Sequence, residues 1–186
     1  MVVPVVSAGG RVTADSADVG HSAEEISRTR MARPIAFARM GHYVVEVTRP
    51  TSATPEQVWR WLADASSWSE WTKLTSTKLE REGVPAPDGV GAIRRFGRTG
   101  GSSREEVVAF EPPHHFAYIL LRGLPISNYR SDVTLTPEAG GTRIVWHSEF
   151  DSKYPGTGTA MRAFIRLLLA DFAKRLATQA EKPASP

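Results

Sequence analysis

The sequence predicts one α+β domain in which a curved, seven-stranded antiparallel sheet wraps around a long C-terminal helix, with two short helices after the first strand. Seven separate runs have the length of strands, and the first of them alternates apolar and polar residues with a period of two, as in a strand that buries one face. Short turns join the later runs, which favours antiparallel neighbours. The last long run changes to a period of 3.6, the period of a helix with one apolar face.

The first strand leads directly into the first helix. In YVVEVTR, Tyr43, Val45 and Val47 fall on one face of the predicted strand. A helix is predicted next, because Thr54 can serve as its N-cap and Pro55 suits the first helical position.

The segment DASSWSEWTK predicts a second short helix. Ser66 and Ser67 are candidates for its N-cap, because a serine oxygen can accept a hydrogen bond from the first turn. Trp68 and Trp71 are three residues apart, so both indoles are expected on one face.

Six further strands are predicted between residues 73 and 150. Each run has the length of a strand and ends in residues that favour turns: PAPDG, GRTGG, EPP, RGLP and PEAGG. Parallel pairs would require long crossovers, so these short connections predict an antiparallel meander. The first strand brings the sheet to seven.

The last element is a helix predicted over residues 157–179. Its apolar residues form one wide stripe, composed of Met161, Phe164, Ile165, Leu168, Leu169, Phe172 and Leu176. Arg162, Arg166 and Lys174 lie outside this stripe. The stripe requires a large partner, and the curved sheet is the only one that the chain offers.

The chain divides into three parts. Residues 1–41 contain one aromatic residue, Phe37, and no sustained periodicity, which predicts a flexible tail. Residues 42–181 are assigned to the domain, and residues 182–186 to a disordered end. Met31 and Met40 are alternative start sites, so whether residues 1–39 belong to the native protein stays open.

Composition is typical of a globular protein. The 186 residues are 41% hydrophobic and 23% charged, which suits one domain with a sizeable core. No apolar stretch reaches the roughly 20 residues that a membrane span needs. The absence of cysteine excludes disulfide scaffolds and cysteine nucleophiles and suits the cytoplasm, the location that we expect. A net charge of +3 does not by itself indicate nucleic-acid binding.

The order of elements and four sequence segments resemble the polyketide cyclase/dehydrase and lipid-transport branch of the START-like (SRPBCC) superfamily. The segments are PEQVWRWLAD, WSEW, EPPHHFAY and YRSDVTLTPEAGGTRIVWHSEF. The resemblance covers residues 43–180 and lies in their conjunction, since none is unique alone. It implies a helix-grip fold with a cavity between the sheet and the long helix. Fold similarity does not decide between a carrier and an enzyme.

A cavity is also expected on geometric grounds. A strongly curved sheet that grips one helix cannot bring every inward side chain into contact with that helix. The residues expected to bind an apolar ligand there are Phe96, Tyr118, Tyr129, Val133, Trp146, Phe164 and Leu168. Each of them also fits the simpler role of a core residue. The hydroxyls of Tyr118, Tyr129 and Ser131 are candidates for orienting the ligand.

No metal site is predicted. His114 and His115 are adjacent on a strand, so their side chains project to opposite faces and cannot share one ion. His147 is expected on the face of the sheet opposite Ile144 and Trp146. The sequence therefore indicates neither a metal nor a cofactor.

Charged side chains are expected in solvent. This prediction covers the carboxylates Glu105, Glu106, Asp132 and Glu149 and the arginines Arg94, Arg95, Arg98 and Arg104. The arginines lack the interleaved aromatic residues that binding of single-stranded nucleic acid requires. They could alternatively attract a carboxylate or phosphate head group at the mouth of the cavity.

The predicted function is binding of a small hydrophobic ligand, a lipid or polyketide-like metabolite, in the cavity. No catalytic residue is assigned. One alternative is a cyclase or dehydratase that uses the same cavity, which a buried, cavity-facing His147 or Glu149 would favour. Another is a regulatory or stress protein that acts through a partner. The expected partner is a small apolar ligand, with no specific nucleic acid, and the chain is expected to be a monomer or homodimer.

Overall fold

The computed structural model describes residues 41–183. Within this range the elements follow the predicted order of one strand, two short helices, six strands and one long helix. The tail predicted over residues 1–41 and the end predicted over residues 182–186 lie outside the described residues, apart from Gly41, Lys182 and Pro183.

The helices begin where the sequence indicates. They are α1 (Pro55–Ala63), a 3-10 turn (Ala65–Ser67), α2 (Trp68–Trp71) and α3 (Gly158–Ala180). Thr54 is the N-cap of α1 and forms a capping box with Gln57. The Gln57 amide donates to Thr54 Oγ1 at 3.4 Å, and the Thr54 amide donates to Gln57 Oε1 at 2.8 Å.

The cap of the second helical segment differs from the prediction. The side chain of Asp64 caps the 3-10 turn by accepting a hydrogen bond from the Ser66 amide at 2.8 Å. Ser67 makes no side-chain capping bond to α2. A carboxylate is a stronger acceptor than a hydroxyl at a helix N-terminus. The indoles of Trp68 and Trp71 do share one buried side, with ring centroids 4.8 Å apart.

The seven strands form one antiparallel sheet in the order β1-β7-β6-β5-β4-β3-β2. Their bounds are β1 His42–Thr51, β2 Ser76–Arg81, β3 Ile93–Arg98, β4 Gly101–Glu111, β5 His115–Arg122, β6 Ile126–Glu138 and β7 Gly141–Ser152. Register shifts interrupt the pairing of β2 with β3, β4 with β5, and β6 with β7. Such irregularities bend strands, which favours curvature of the sheet around α3.

Helix α3 packs mainly on β1 and β7 and against α1. Near its C-terminal end the buried residues are mostly small, namely Ala173, Ala177 and Ala180. Small side chains allow this end to approach the sheet closely, and Thr51 Oγ1 donates to the Ala177 carbonyl oxygen at 3.4 Å. The middle of α3 carries larger side chains and leaves space beneath it.

The predicted stripe on α3 divides into two parts. Ile165, Leu169 and Leu176 are buried in the core. Phe164 and Leu168 retain some exposure and face the space beside the sheet. Among the described residues, no helix is long and apolar enough to span a membrane.

Candidate functional site

A cavity of about 310 Å³ lies between α3 and the strands β3, β4 and β5. This volume is at the lower end of the range of roughly 300–1,000 Å³ for small-molecule sites. The lining residues that belong to α3 are Phe164, Leu168, Leu169 and Phe172. A larger depression of about 600 Å³ lies elsewhere, but Arg60, Asp64, Glu70 and Lys182 line it, so it does not suit an apolar ligand.

The floor of the cavity is aromatic and its rim is exposed. Trp68 and Phe96 stack with ring centroids 5.0 Å apart and are both buried. The rim includes Arg98 and Phe164, and Phe164 is 40% exposed. Because the rim reaches solvent, a ligand can enter without unfolding of the domain.

Five of the seven residues proposed for the ligand line this cavity: Phe96, Tyr118, Tyr129, Phe164 and Leu168. Val133 and Trp146 do not line it and are fully buried in the core. They lie opposite each other on β6 and β7. The Trp146 ring lies 6.2 Å from Trp68 and 6.0 Å from Phe172, which cover it from the cavity side.

Buried hydroxyls form a network below the floor. Trp146 Nε1 donates to Ser131 Oγ at 2.8 Å, and Ser131 Oγ lies 2.7 Å from Ser148 Oγ. The Tyr129 hydroxyl is 3.2 Å from Ser148 Oγ. Burial raises the pKa of Tyr118 and of Tyr129, so both remain neutral phenols. Ser131 lies beneath the cavity and not in its wall.

The prediction that Arg94 and Glu105 are solvated is wrong. Arg94 is 0% exposed and Glu105 is 9% exposed. They face each other across β3 and β4, and Arg94 Nη2 lies 3.3 Å from Glu105 Oε2. The sheet thus buries an ion pair within its concave side.

Aromatic rings replace water around the Arg94 guanidinium. Its Cζ atom lies 4.7 Å from the ring centroid of Phe116, 5.1 Å from Trp68, 5.2 Å from Phe96 and 5.6 Å from Tyr118. Within residues 41–183, Arg94 Nε and Nη1 have no hydrogen-bond partner. Contact between a cation and the faces of aromatic rings offsets part of the lost hydration.

Glu105 is the carboxylate of the cavity wall. Its Oε2 atom accepts from Arg94, whereas Oε1 has no hydrogen-bond donor in the part of the chain that the structure describes. Oε1 keeps some accessible surface, whereas the unpartnered atoms Trp61 Nε1, Arg94 Nε and Arg94 Nη1 are fully buried. Burial raises the pKa of Glu105 to about 6, and the positive charge of Arg94 opposes this effect.

A signal for this pair was present in the sequence. Arg94 and Phe96 are two residues apart on β3 and both are buried, and Phe96 is one of the residues expected at the cavity. The GRTGG turn sets a register that places Arg94 opposite Glu105. Charged residues are rarely buried unless paired, and the pattern along one strand does not show the partner on the next.

The other charged candidates lie outside the cavity wall, with Arg98 at its rim as the exception. Glu149 is partly exposed, and His147 lies 3.3 Å from Glu46 on the outer face. Asp132 accepts hydrogen bonds from His115 and Arg130. A buried His147 or Glu149 in the cavity would have favoured an enzyme. Neither residue is buried, and neither lines the cavity.

His114 and His115 each contact a different acceptor. His115 Nε2 lies 2.9 Å from Asp132 Oδ1, and His114 Nδ1 lies 3.4 Å from the Leu135 carbonyl oxygen. Residues 41–183 contain no group of three or more His, Asp or Glu side chains arranged to hold a metal ion.

Comparison with known proteins identifies relatives of the domain. The family model described as polyketide cyclase / dehydrase and lipid transport matches residues 42–181. An uncharacterized protein of Mycobacterium tuberculosis is 28% identical over 119 residues, which is 60% of this chain and 68% of that protein.

Several solved structures share the fold. A START superfamily protein from Mycobacterium smegmatis superposes with a TM-score of 0.62 at 16% identity, over 76% of this chain and 98% of that one. Norcoclaurine synthase from Thalictrum flavum, solved with dopamine and hydroxybenzaldehyde, has a TM-score of 0.63 at 13% identity, over 78% and 90%. Protein MLL2253 from Mesorhizobium loti has a TM-score of 0.58 at 22% identity, over 74% and 96%. At these identities the likeness concerns the fold alone.

Proposed function

The chain belongs to the polyketide cyclase/dehydrase and lipid transport family of the START-like superfamily, and from this premise we propose that it binds one small hydrophobic ligand between α3 and the sheet. The observation that supports this proposal is the cavity of about 310 Å³ with a buried aromatic floor. Phe96, Tyr118, Tyr129, Phe164 and Leu168 are proposed to contact the ligand. A lipid fragment or a polyketide-like metabolite fits this description.

The affinity expected for such a ligand is modest. A molecule of about 20 heavy atoms that gains roughly 0.3 kcal/mol per atom binds with about 6 kcal/mol. This free energy corresponds to a dissociation constant of tens of micromolar. Apolar walls discriminate weakly, so several related molecules should bind.

The neutral fluorophore N-phenyl-1-naphthylamine tests this proposal, because its emission rises in apolar surroundings. We expect saturable binding with one site per chain. Leu168→Trp adds bulk to the cavity wall and should weaken binding about tenfold or more. The control is Leu167→Trp, since Leu167 is 73% exposed on the same helix and does not line the cavity. Unsaturable binding, or equal losses in the two variants, would contradict the proposal.

A second candidate function is proton transfer to a bound substrate, as in a cyclase or dehydratase. The observation that favours it is Glu105, a carboxyl in the cavity wall with its pKa raised to about 6. A general acid or base is most effective when its pKa lies near the working pH. The sequence had pointed to His147 or Glu149 for this role.

Mass spectrometry separates the two candidates. Wild-type protein and the Glu105→Gln variant are each incubated with a lipophilic extract of the host cells. A carrier retains a species without changing it. A species that the wild-type protein consumes and the variant only retains would support the enzyme.

Two further features are part of the proposal. We place the protein in the cytoplasm, in keeping with a chain that has no cysteine. We also propose that it is a monomer or a homodimer, which light scattering after size exclusion would determine, with or without bound ligand.

A further inference from the structure

We propose that the cavity selects electrically neutral ligands that bear a hydroxyl group, an alcohol or a phenol, and that this hydroxyl donates a hydrogen bond to Oε1 of Glu105. The inference rests on the proposed function, because it names the chemical class of the ligand for the same cavity. It assigns a polar end to a ligand whose remaining contacts are apolar.

The geometry of the Glu105 carboxylate supports a hydrogen-bond donor on the ligand. Oε2 is occupied by Arg94 at 3.3 Å, and Oε1 lacks a donor within the described chain although Glu105 is 91% buried. Oε1 borders the cavity, so a ligand that fills the cavity displaces water from this oxygen. A carboxylate oxygen that loses water and gains no partner is costly, and a ligand hydroxyl would supply the missing bond.

Glu105 differs from the hydroxyl groups of the same cavity in what it requires of a ligand. The Tyr129 hydroxyl is engaged with Ser148. Tyr118, Thr99, Ser102 and Ser103 also line the cavity, and each of their hydroxyls can either donate or accept a hydrogen bond. An ionised carboxylate can only accept, so Glu105 is the group that requires a donor on the ligand.

Charge decides that the ligand is neutral. Arginine side chains carry a positive charge, so Arg94 and ionised Glu105 form a pair of zero net charge beside the cavity. An ammonium group beside this pair would add one positive charge without compensation, and a carboxylate would add one negative charge close to Glu105. Either charge would have to give up its hydration without gaining a full partner, which is unfavourable. Arg98, the other charged residue of the wall, lies at the exposed rim, where water screens it.

Four probes with one ring system test this inference: naphthalene, 2-naphthol, 2-naphthoate and 2-naphthylmethylammonium. Displacement of N-phenyl-1-naphthylamine at neutral pH gives their affinities. We expect 2-naphthol to bind about tenfold more tightly than naphthalene, the ratio for one hydrogen bond of ordinary net strength. The two charged probes should bind more weakly than naphthalene.

A double variant shows which group is responsible for the preference. Glu105→Leu alone would leave Arg94 buried without its partner and could unfold the domain. The variant Arg94→Met/Glu105→Leu replaces the whole pair with apolar side chains, and its fold is checked by thermal melting. The readout is the ratio of the two affinities in the same variant: 2-naphthol should no longer bind more tightly than naphthalene, whatever the affinity for naphthalene itself.

The outcomes distinguish this inference from the proposed function. If none of the four probes binds, the proposed function fails. If all four bind equally, or if 2-naphthoate or the ammonium probe binds most tightly, apolar binding stands and the inference is overturned. A preference for 2-naphthol that persists in the double variant also overturns it, because the hydroxyl then meets another group.

Discussion

Replacing Glu105 with glutamine is expected to abolish a loss of stability that the wild-type protein undergoes as the pH rises. Burial raises the pKa of this carboxyl from its ordinary value of 4.5 to about 6. The folded state therefore binds the proton more tightly than the unfolded state does. The stabilisation from protonated Glu105 is fully present below pH 4.5 and is lost as the pH rises through 6.

The size of this effect follows from the two pKa values. Each unit of difference between the folded and unfolded states corresponds to about 1.4 kcal/mol, so the interval from 4.5 to about 6 gives about 2 kcal/mol. Glutamine carries no charge at any pH and is insensitive to this change. Relative to the wild type, Glu105→Gln should therefore gain stability as the pH rises through 6.

Urea denaturation at a series of pH values between about 4 and about 7.5 measures the effect. The quantity to follow is the free energy of unfolding of the wild type minus that of Glu105→Gln. Taking the difference cancels the titration of carboxyls such as Asp132, whose pKa is lowered by hydrogen bonds from Arg130 and His115 against an opposing effect of burial. This difference should fall by about 2 kcal/mol as the pH rises.

The matched control is Glu106→Gln, which changes the adjacent carboxyl of β4 outside the cavity wall. Its difference curve should not show the same fall. A flat curve for Glu105→Gln, or one that rises with pH, would refute the assignment of a buried, proton-binding carboxyl at this position.

Two further pairs of substitutions probe the fold. Leu169→Ala should lower the free energy of unfolding by about 2–5 kcal/mol, because Leu169 is 1% exposed. Leu168→Ala should lower it clearly less, because that side chain borders the cavity. Equal losses in urea denaturation would contradict this division of α3. Gly141→Ala should destabilise more than Gly140→Ala in thermal unfolding, because its added Cβ would lie 2.0 Å from the Thr51 carbonyl oxygen, while at Gly140 nothing lies within 4 Å. Both glycines have positive φ, so similar melting temperatures for the two variants would show that the close contact does not matter.

The order and type of the elements could be predicted from the sequence because local patterns encode them. A period of two, turn residues between runs and an apolar helical stripe are each visible within a few residues. Phe96 and Tyr118, both expected at the cavity, border it in the structure. Which of several neighbouring polar residues caps a helix was harder to predict, because Asp64 rather than a serine caps the 3-10 turn before α2.

What covers an inward-facing side chain was decided by the tertiary structure. Trp146 points inward as expected, but Trp68 and Phe172, from two distant helices, shield it from the cavity. The same reason explains the burial of Arg94 with Glu105. The rings around its guanidinium come from α2, β3 and β5, and only folding brings these elements together. Periodicity along the chain determines the face that a residue occupies, whereas contacts between elements distant in sequence determine whether that face meets core, cavity or solvent.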